Sequence, residues 1–369
     1  MVDRLSSGGG VIRPTGGDQG ADKGGGRSIL RLRGGSGYDG AGLALWISGD
    51  RDPLAHESPG DGEELAGLYS SGQTVSFHPE NFVPLVEAAG VSAGLSLGFL
   101  LLSFLAGRRT LKTGKDFLLQ VGVTGLNYRE ERIPTAYGGF LASLLLFLSV
   151  IALGLAQWIP LFSYSLFAAV LLASITVSFL GWLDDTLGNH RDKGFSGHFR
   201  TWIKEGRLTT GLLKAAGGGA VAAISATVTS GGSGKVWLLH TLLIGLMTNW
   251  LNLLDLRPGR ALKFYLVVGS LLFLVSLGRG ELFLFIPLLG LGAAILKEDL
   301  SSQLMLGDSG SNLLGVQLGM WLALVSPTWL VMVWIAFLAM GHWVGETISL
   351  TRLIDGNRFL SYLDRLGRE

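Results

Sequence analysis

Four aspartates stand where long apolar stretches of the chain give way to polar segments. Asp184 and Asp185 are adjacent at the end of one stretch, Asp255 ends a second, and Asp308 follows a third. Adjacent carboxylates at a partly desolvated boundary repel each other unless a proton or a cation is shared between them. A hard divalent cation such as Mg²⁺ takes oxygen ligands and often keeps phosphate oxygens among them. The aspartates therefore indicate Mg²⁺-dependent chemistry on a phosphorylated substrate.

Each aspartate taken singly has a plainer interpretation. Polar residues commonly end membrane helices because the interface is wet, and Asp308 is suited to capping the helix that follows it. The basic segment 189–200, which contains Lys193, follows the aspartate pair. It offers cationic groups to phosphate, although attraction to anionic lipid headgroups also explains such a loop. Carboxylates and cations at one interface are nonetheless what phosphoryl transfer needs, since a metal and positive charge stabilise the transferring group.

The four aspartates lie at the ends of apolar runs that predict membrane helices. The 369 residues are 48% hydrophobic and only 15% charged, whereas soluble domains are about 25% charged. Apolar runs of about 20 residues, the length that spans a bilayer, recur between residues 83 and 350. We predict an all-α, polytopic transmembrane helix bundle of about nine spans over this region.

The two ends of the chain differ from this bundle. Residues 1–82 are Gly-rich with scattered charges and predict a disordered tail, which is either dispensable or the result of a start codon placed too far upstream. Residues 351–369 predict an amphipathic segment on the cytoplasmic side. The chain has no cysteine, which excludes disulfides, thiolate metal sites and cysteine nucleophiles. Its formal net charge of +1 gives no reason to expect a nucleic-acid partner.

Lysine and arginine placement predicts the orientation. With the first span running inward, nearly all basic loop residues fall on the inner side, and only Lys235 and Arg279 fall outside. The positive-inside rule then places the aspartates at the cytoplasmic face of the plasma membrane. Membrane lipid is therefore an expected partner, and a homodimer is an open possibility.

Three motifs resemble those of the polyprenyl-phosphate N-acetylhexosamine-1-phosphate transferase superfamily, which includes phospho-N-acetylmuramoyl-pentapeptide transferase. They are Gly181-Trp182-Leu183-Asp184-Asp185, the segment Asn249 to Asp255, and Gly307-Asp308-Ser309-Gly310-Ser311. Ile133-Pro134-Thr135-Ala136-Tyr137-Gly138-Gly139 is similar to that group's Pro-Thr-x-Gly-Gly sequence with one extra residue, and Lys193-Gly194-Phe195-Ser196 to its Lys-Gly-Leu-Ser segment.

The resemblance implies Mg²⁺-dependent transfer of a sugar-1-phosphate from a UDP-amino sugar to a polyprenyl phosphate, with release of UMP. UDP-N-acetylmuramoyl-pentapeptide and UDP-N-acetylglucosamine are the donors it suggests. It implies catalytic and metal-binding roles for Asp184, Asp185 and Asp308. It also implies substrate-binding roles for Asn249, Asn252, Asp255 and Lys193. Arg257 and Arg260, which depart from the family pattern, could bind a phosphate, although positive-inside anchoring explains them equally well.

Two departures from the family pattern leave other functions open. Asp255 is followed by Leu256-Arg257-Pro258-Gly259-Arg260 where the family often has a second acid, and residues 351–358 lack the histidines of the muramoyl branch. A catalytically inactive relative that acts as a scaffold is one alternative. A transporter is another, and His342 with Glu346, four residues apart within an apolar run, is its main support. A helix-to-helix hydrogen bond is the simpler explanation of this pair.

Overall fold

The computed structural model describes residues 83–127, 129–158, 162–188, 206, 209–347 and 350–368. The predicted tail 1–82 lies outside this part of the chain. So does the basic loop that contains Lys193, which remains a prediction as a substrate-binding residue.

The described chain is almost entirely helical, which confirms the predicted fold class. One small antiparallel sheet joins the first two helices, with β1 (Thr124–Leu126) paired to β2 (Arg132–Pro134). A 3₁₀ turn, Gly280–Leu284, precedes the seventh helix. The α-helices are α1 (Val83–Gln120), α2 (Tyr137–Ala156), α3 (Tyr164–Leu187), α4 (Thr210–Thr229), α5 (Gly234–Leu254), α6 (Arg260–Val275), α7 (Ile286–Leu300), α8 (Gly307–Val325), α9 (Thr328–Thr347), α10 (Leu350–Gly356) and α11 (Arg358–Arg365).

Five of the described helices are long and apolar enough to cross a membrane: α2, α3, α4, α5 and α9. The other predicted spans coincide with α1, α6, α8 and the combination of the 3₁₀ turn with α7. Helices α6 and α7 have only 16 and 15 residues, fewer than the roughly 20 that a perpendicular span needs. Membrane association follows from the five helices, whereas the count of nine spans stays a prediction.

Helix α8 is the centre of the bundle. Every residue from Ser309 to Ala323 is buried, and α8 packs against α5, α3, α2 and α6. A helix that is buried all round belongs to the core of a large bundle. The outer helices instead expose large apolar side chains, such as Phe147 of α2 and Leu172 of α3. The first turn of α8, which carries Asp308, is therefore held by several neighbouring helices.

Backbone hydrogen bonds fix the approach to that turn. The amides of Tyr137 and Gly138 at the start of α2 donate to the carbonyls of Met305 and Leu306, and the Met305 amide donates to Pro134. Ala136, just before α2, adopts a left-handed conformation with φ of 53°. The Pro-Thr segment noted in the sequence thus holds the residues that lead into Asp308.

Glycines allow α2 and α8 to approach backbone to backbone. A Cβ atom on Gly138 would overlap the backbone of Gly310, whereas one on Gly154, near the other end of α2, would meet nothing within 4 Å. We expect Gly138→Ala to lower the free energy of unfolding by about 2–3 kcal/mol or more, because neither backbone can yield cheaply. Thermal unfolding in detergent measures this effect. Gly154→Ala is the matched control and should be neutral or slightly stabilising, since alanine favours the helix. Equal stability of the two variants would contradict the close approach.

Candidate functional site at the aspartate-bearing helix ends

Asp185 caps the helix that carries Asp308. Its Oδ1 accepts the Asp308 amide at 2.8 Å and its Oδ2 accepts the Ser309 amide at 3.0 Å. The first amides of a helix have no partner within the helix, and a carboxylate also interacts favourably with the positive end of the helix dipole. Gly307 adopts φ of +71°, and a Cβ there would press on the Asp185 carboxylate. Asp185, rather than Asp308, therefore supplies the cap, from a different helix.

Lys214 of α4 lies between Asp184 and Asp308. Its Nζ is 3.0 Å from Asp184 Oδ2 and also donates to Asp308 Oδ2. The three side chains are 19–28% exposed, so their charges are only partly screened by solvent. An ammonium between two carboxylates relieves their mutual repulsion, and it stands where a bridging cation is expected from the sequence. The adjacent aspartates thus have different tasks, Asp185 in capping and Asp184 in this ion pair.

Two further carboxylates, those of Asp255 and Asp299, line the same site. Asp299 near the end of α7 is 3% exposed and accepts the Gly259 amide at 2.9 Å. Burial raises the pKa of Asp299 to about 7 against the opposing effect of that hydrogen bond and of Arg368 and Lys263. Burial, and then the negative charge of Asp299 and Asp308, hold the pKa of Asp255 well above its usual range. The carboxyl groups of Asp255 and Asp299 therefore tend to hold a proton, and a nearby cation would stabilise their charged forms.

Two cavities meet at the aspartates. The polar cavity, as we call the first, has a volume of about 1030 Å³ and is lined by Asp184, Asp185, Asp255, Asp299 and Asp308 together with the β1 strand. The glycine-lined groove, about 590 Å³, runs between α3, α4 and α5 and is lined by Lys214, Asn249 and Asn312 and by small residues of α4 and α5. These small residues are Gly211, Ala215, Gly218, Gly219 and Gly245. Asp184 and Asn252 line both cavities, so their side chains stand at the boundary between the polar cavity and the groove.

The other predicted substrate-binding residues divide into two groups. Asn252, Asp255 and Arg257 line the polar cavity, and Asn249 lines the groove. The Asn252 side chain also accepts the Ser311 hydroxyl at 3.0 Å, which ties α5 to the start of α8.

Arg260 is used elsewhere. It is 5% exposed, and its guanidinium pairs with Asp364 of α11, with Nη2 3.0 Å from Oδ2. This pairing joins residues 104 positions apart in the sequence and engages the guanidinium predicted to bind a phosphate. The substrate-binding role of Arg260 stays a prediction.

The three aspartates predicted to bind magnesium, Asp184, Asp185 and Asp308, differ in what they contact. Within the described ranges, no three histidine or acidic side chains are grouped closely enough to hold a metal by themselves. Both Asp185 oxygens accept backbone amides, whereas Asp184 and Asp308 both face Lys214, so these two are the carboxylates that would share one cation. Such a donor set fits Mg²⁺, because this ion commonly takes one or two protein carboxylates and completes its shell with water and phosphate oxygens. Magnesium itself stays a prediction.

Of the His342–Glu346 pair, the structure describes the contacts of His342 only. The Nδ1 atom of His342 bonds the Leu338 carbonyl of its own helix at 2.7 Å, and its ring lies 5.9 Å from the Trp250 ring of α5. His342 therefore packs α9 against α5. The side chain of Glu346 lies outside the described residues.

Lys214 and Asp299 are the site residues that sequence reasoning missed. Lys214 is a single cation in the Gly- and Ala-rich run Thr210–Thr229, and an ionisable residue inside a predicted span is a functional candidate by default. Asp299 follows the apolar run of α7 within Lys297-Glu298-Asp299, where it resembles an ordinary polar helix end.

Comparison with known protein families finds no family model that matches the chain, and comparison with curated proteins finds no match. The likeness to the transferase superfamily therefore rests on the sequence motifs alone and stays a prediction.

Asp299 gives a testable pH dependence. Its folded pKa lies above the unfolded one, so the stability that its protonated form contributes is complete below about pH 4 and is lost as pH rises toward 7. Asp299→Asn keeps an oxygen for the Gly259 amide and removes the buried charge. We expect the variant to be more stable than wild type by on the order of 2 kcal/mol at about pH 8, and the gain to vanish near pH 4. Thermal unfolding across this range measures it, and a gain independent of pH would contradict the assignment.

Proposed function

We propose that this protein transfers a sugar-1-phosphate from a UDP-amino sugar to a polyprenyl phosphate, of the undecaprenyl type, and releases UMP. The reaction would serve cell-envelope synthesis at the plasma membrane, with the site facing the cytoplasm. The observation that carries the proposal is the meeting of the polar cavity and the glycine-lined groove at Asp184, beside Asp308 and Lys214.

The two cavities suit one soluble and one lipid substrate. The polar cavity of about 1030 Å³ has the size of a nucleotide-sugar site and offers Asn252, Arg257 and backbone groups of the β1 strand as hydrogen-bonding partners. The groove lies between helices that are apolar enough to span a membrane, and its small α4 residues leave room for an extended hydrocarbon chain. A polyprenyl chain in the groove would bring its phosphate to Asp184 and Lys214.

The charge balance of the site supports a divalent cation. Five carboxylates line the polar cavity, so an anionic nucleotide sugar would be repelled without added positive charge. Asp184 and Asp308 are the residues that would hold Mg²⁺. When bound, Mg²⁺ would neutralise phosphate charge and stabilise the transferring group.

The remaining chemistry falls to groups of the chain itself. An oxygen of the lipid phosphate attacks the sugar-bearing phosphorus of the donor, and the bond from that phosphorus to the UMP oxygen breaks, so that UMP leaves with the electron pair. Lys214 supplies a positive charge beside both phosphates as charge develops on the leaving oxygen. Asp185 holds the first turn of α8 in place and thereby positions Asp308.

The proposal is tested with purified protein in lipid nanodiscs. UMP release is measured with undecaprenyl phosphate, Mg²⁺ and a donor panel that includes UDP-N-acetylglucosamine and UDP-N-acetylmuramoyl-pentapeptide. We expect release with at least one donor and loss of release when the lipid phosphate is omitted or Mg²⁺ is chelated. No release from any donor by folded protein would overturn the proposal.

One observation favours the inactive-relative alternative. Lys214 already places a permanent positive charge between Asp184 and Asp308, where a catalytic cation would otherwise bind. Saturable binding of a UDP-sugar without UMP release would support that function. Stoichiometric release in a single turnover would exclude it.

A further inference from the structure

The last helix, α11, turns its apolar side away from the protein. Phe359, Tyr362 and Leu363 follow the spacing of one helix face, and Leu366 comes directly after the last helical residue. The side chains of these four residues are 68%, 64%, 42% and 51% exposed, respectively. We call the four residues the apolar stripe. A short helix docked on a water-exposed surface buries such a face against the protein.

The polar side of α11 is the side that is docked. Asp364 is 9% exposed and accepts from Arg260 at the start of α6 and from Arg368, whose Nη1 is 2.8 Å from Oδ2. Burial acts to raise the pKa of Asp364, but the hydrogen bonds and charges of these two guanidinium groups outweigh it and lower the pKa to about 2, so the carboxylate stays charged at physiological pH. Lys263 adds hydrogen bonds to the carbonyls of Leu363 and Asp364, at 2.9 and 2.7 Å. The orientation of the stripe is therefore fixed by buried ion pairs and is not a loose end of the chain.

The surroundings of the stripe match a lipid surface. Helix α6, to which α11 is fastened, exposes its own apolar residues Val267 and Leu271. Arg358 and Arg365 at the two ends of α11 are exposed, where arginines favour anionic headgroups. An amphipathic helix with an apolar face and basic flanks lies in the plane of the membrane interface.

We propose that α11 is an interfacial helix, with the apolar stripe inserted among the acyl chains of an anionic membrane surface and Arg358 and Arg365 at the headgroups. The proposal concerns a surface separate from the polar cavity and does not depend on the transfer reaction. The Arg260–Asp364–Arg368 ion pairs fasten this helix to α6. Because Arg368 also donates to the Pro258 carbonyl at 2.7 Å, the membrane-bound helix braces one wall of the polar cavity.

The absence of cysteine from the chain allows a direct test. A nitroxide is attached to full-length Phe359→Cys, Tyr362→Cys or Ser361→Cys protein in phosphatidylglycerol-containing vesicles. Its collision with oxygen, which concentrates in lipid, is compared with its collision with a water-soluble nickel chelate. Ser361 is the matched control, since it lies on the same helix away from the stripe. Each labelled protein is first shown to unfold at the wild-type temperature.

We expect the oxygen-to-nickel collision ratio to be several-fold higher at positions 359 and 362 than at 361. Equal ratios at the three positions would overturn the proposal, because the stripe would then face water. Protection from both reagents, with magnetic coupling between labels, would also overturn it, because a second copy of the chain would then cover the stripe.

Discussion

Asp308→Asn should lower the rate of UMP release by about 1000-fold while leaving the fold intact. The backbone amide of residue 308 still donates to Asp185, so the first turn of α8 stays capped. The asparagine oxygen still accepts from Lys214. What is lost is one of the two negative charges that would share a cation with the substrate phosphates. Initial rates with the preferred donor, measured at saturating Mg²⁺, quantify the loss.

Asp116→Asn is the matched control for this substitution. Asp116 is an exposed carboxylate on α1 outside the polar cavity, and its variant should retain wild-type rates. A rate for Asp308→Asn within about threefold of wild type, less than about 1 kcal/mol in the barrier, would show that Asp308 takes no part in the reaction.

Lys214→Met should lower the rate of UMP release and increase the stabilisation of the protein by Mg²⁺. The rate should fall by about 100-fold or more, because a positive charge beside the transferring phosphate is removed. Mg²⁺ should at the same time stabilise the variant against thermal unfolding more than it stabilises wild type. In wild type the ammonium would compete with the proposed metal for Asp184 and Asp308, whereas in the variant the two carboxylates would repel each other until a cation binds.

Lys235→Met controls for the loss of a lysine, since Lys235 is exposed at the opposite end of α5. Lys214→Arg tests the role of charge alone and should keep the wild-type response to Mg²⁺. A Lys214→Met protein that Mg²⁺ stabilises no better than wild type would contradict a shared cation site.

The sequence was sufficient to predict that Asp184, Asp185 and Asp308 meet. Each stands at the end of an apolar run, and the alternation of spans brings such ends to one side of a helix bundle. The sequence was also sufficient for the all-α class, because runs of apolar residues at spanning length have few other solutions. Three of the predicted spans correspond to α6, which is short, to α7, which follows a 3₁₀ turn, and to α8, which is buried in the bundle. An apolar run in the sequence does not distinguish such helices from full crossings.

The division of tasks within the site could not be predicted in the same way. Asp184 and Asp185 are adjacent in sequence, but only the position of α8 shows that Asp185 caps it while Asp184 pairs with Lys214. In the sequence Arg260 resembles a phosphate ligand, but in the structure its guanidinium pairs with Asp364, 104 residues away along the chain. These are tertiary contacts between distant residues, and local patterns carry no information about them.

The most direct measurement follows the phosphorus that the proposed reaction moves. A UDP-amino sugar labelled at the phosphorus next to the sugar is incubated with undecaprenyl phosphate, Mg²⁺ and the protein, and the lipid is then extracted into butanol. We expect the label to enter the lipid fraction together with the sugar, at a rate equal to UMP release, and to stay in water with the Asp308→Asn variant. Label that remains entirely in the aqueous phase with folded wild-type protein, for every donor tested, would contradict phosphosugar transfer at the junction of the two cavities.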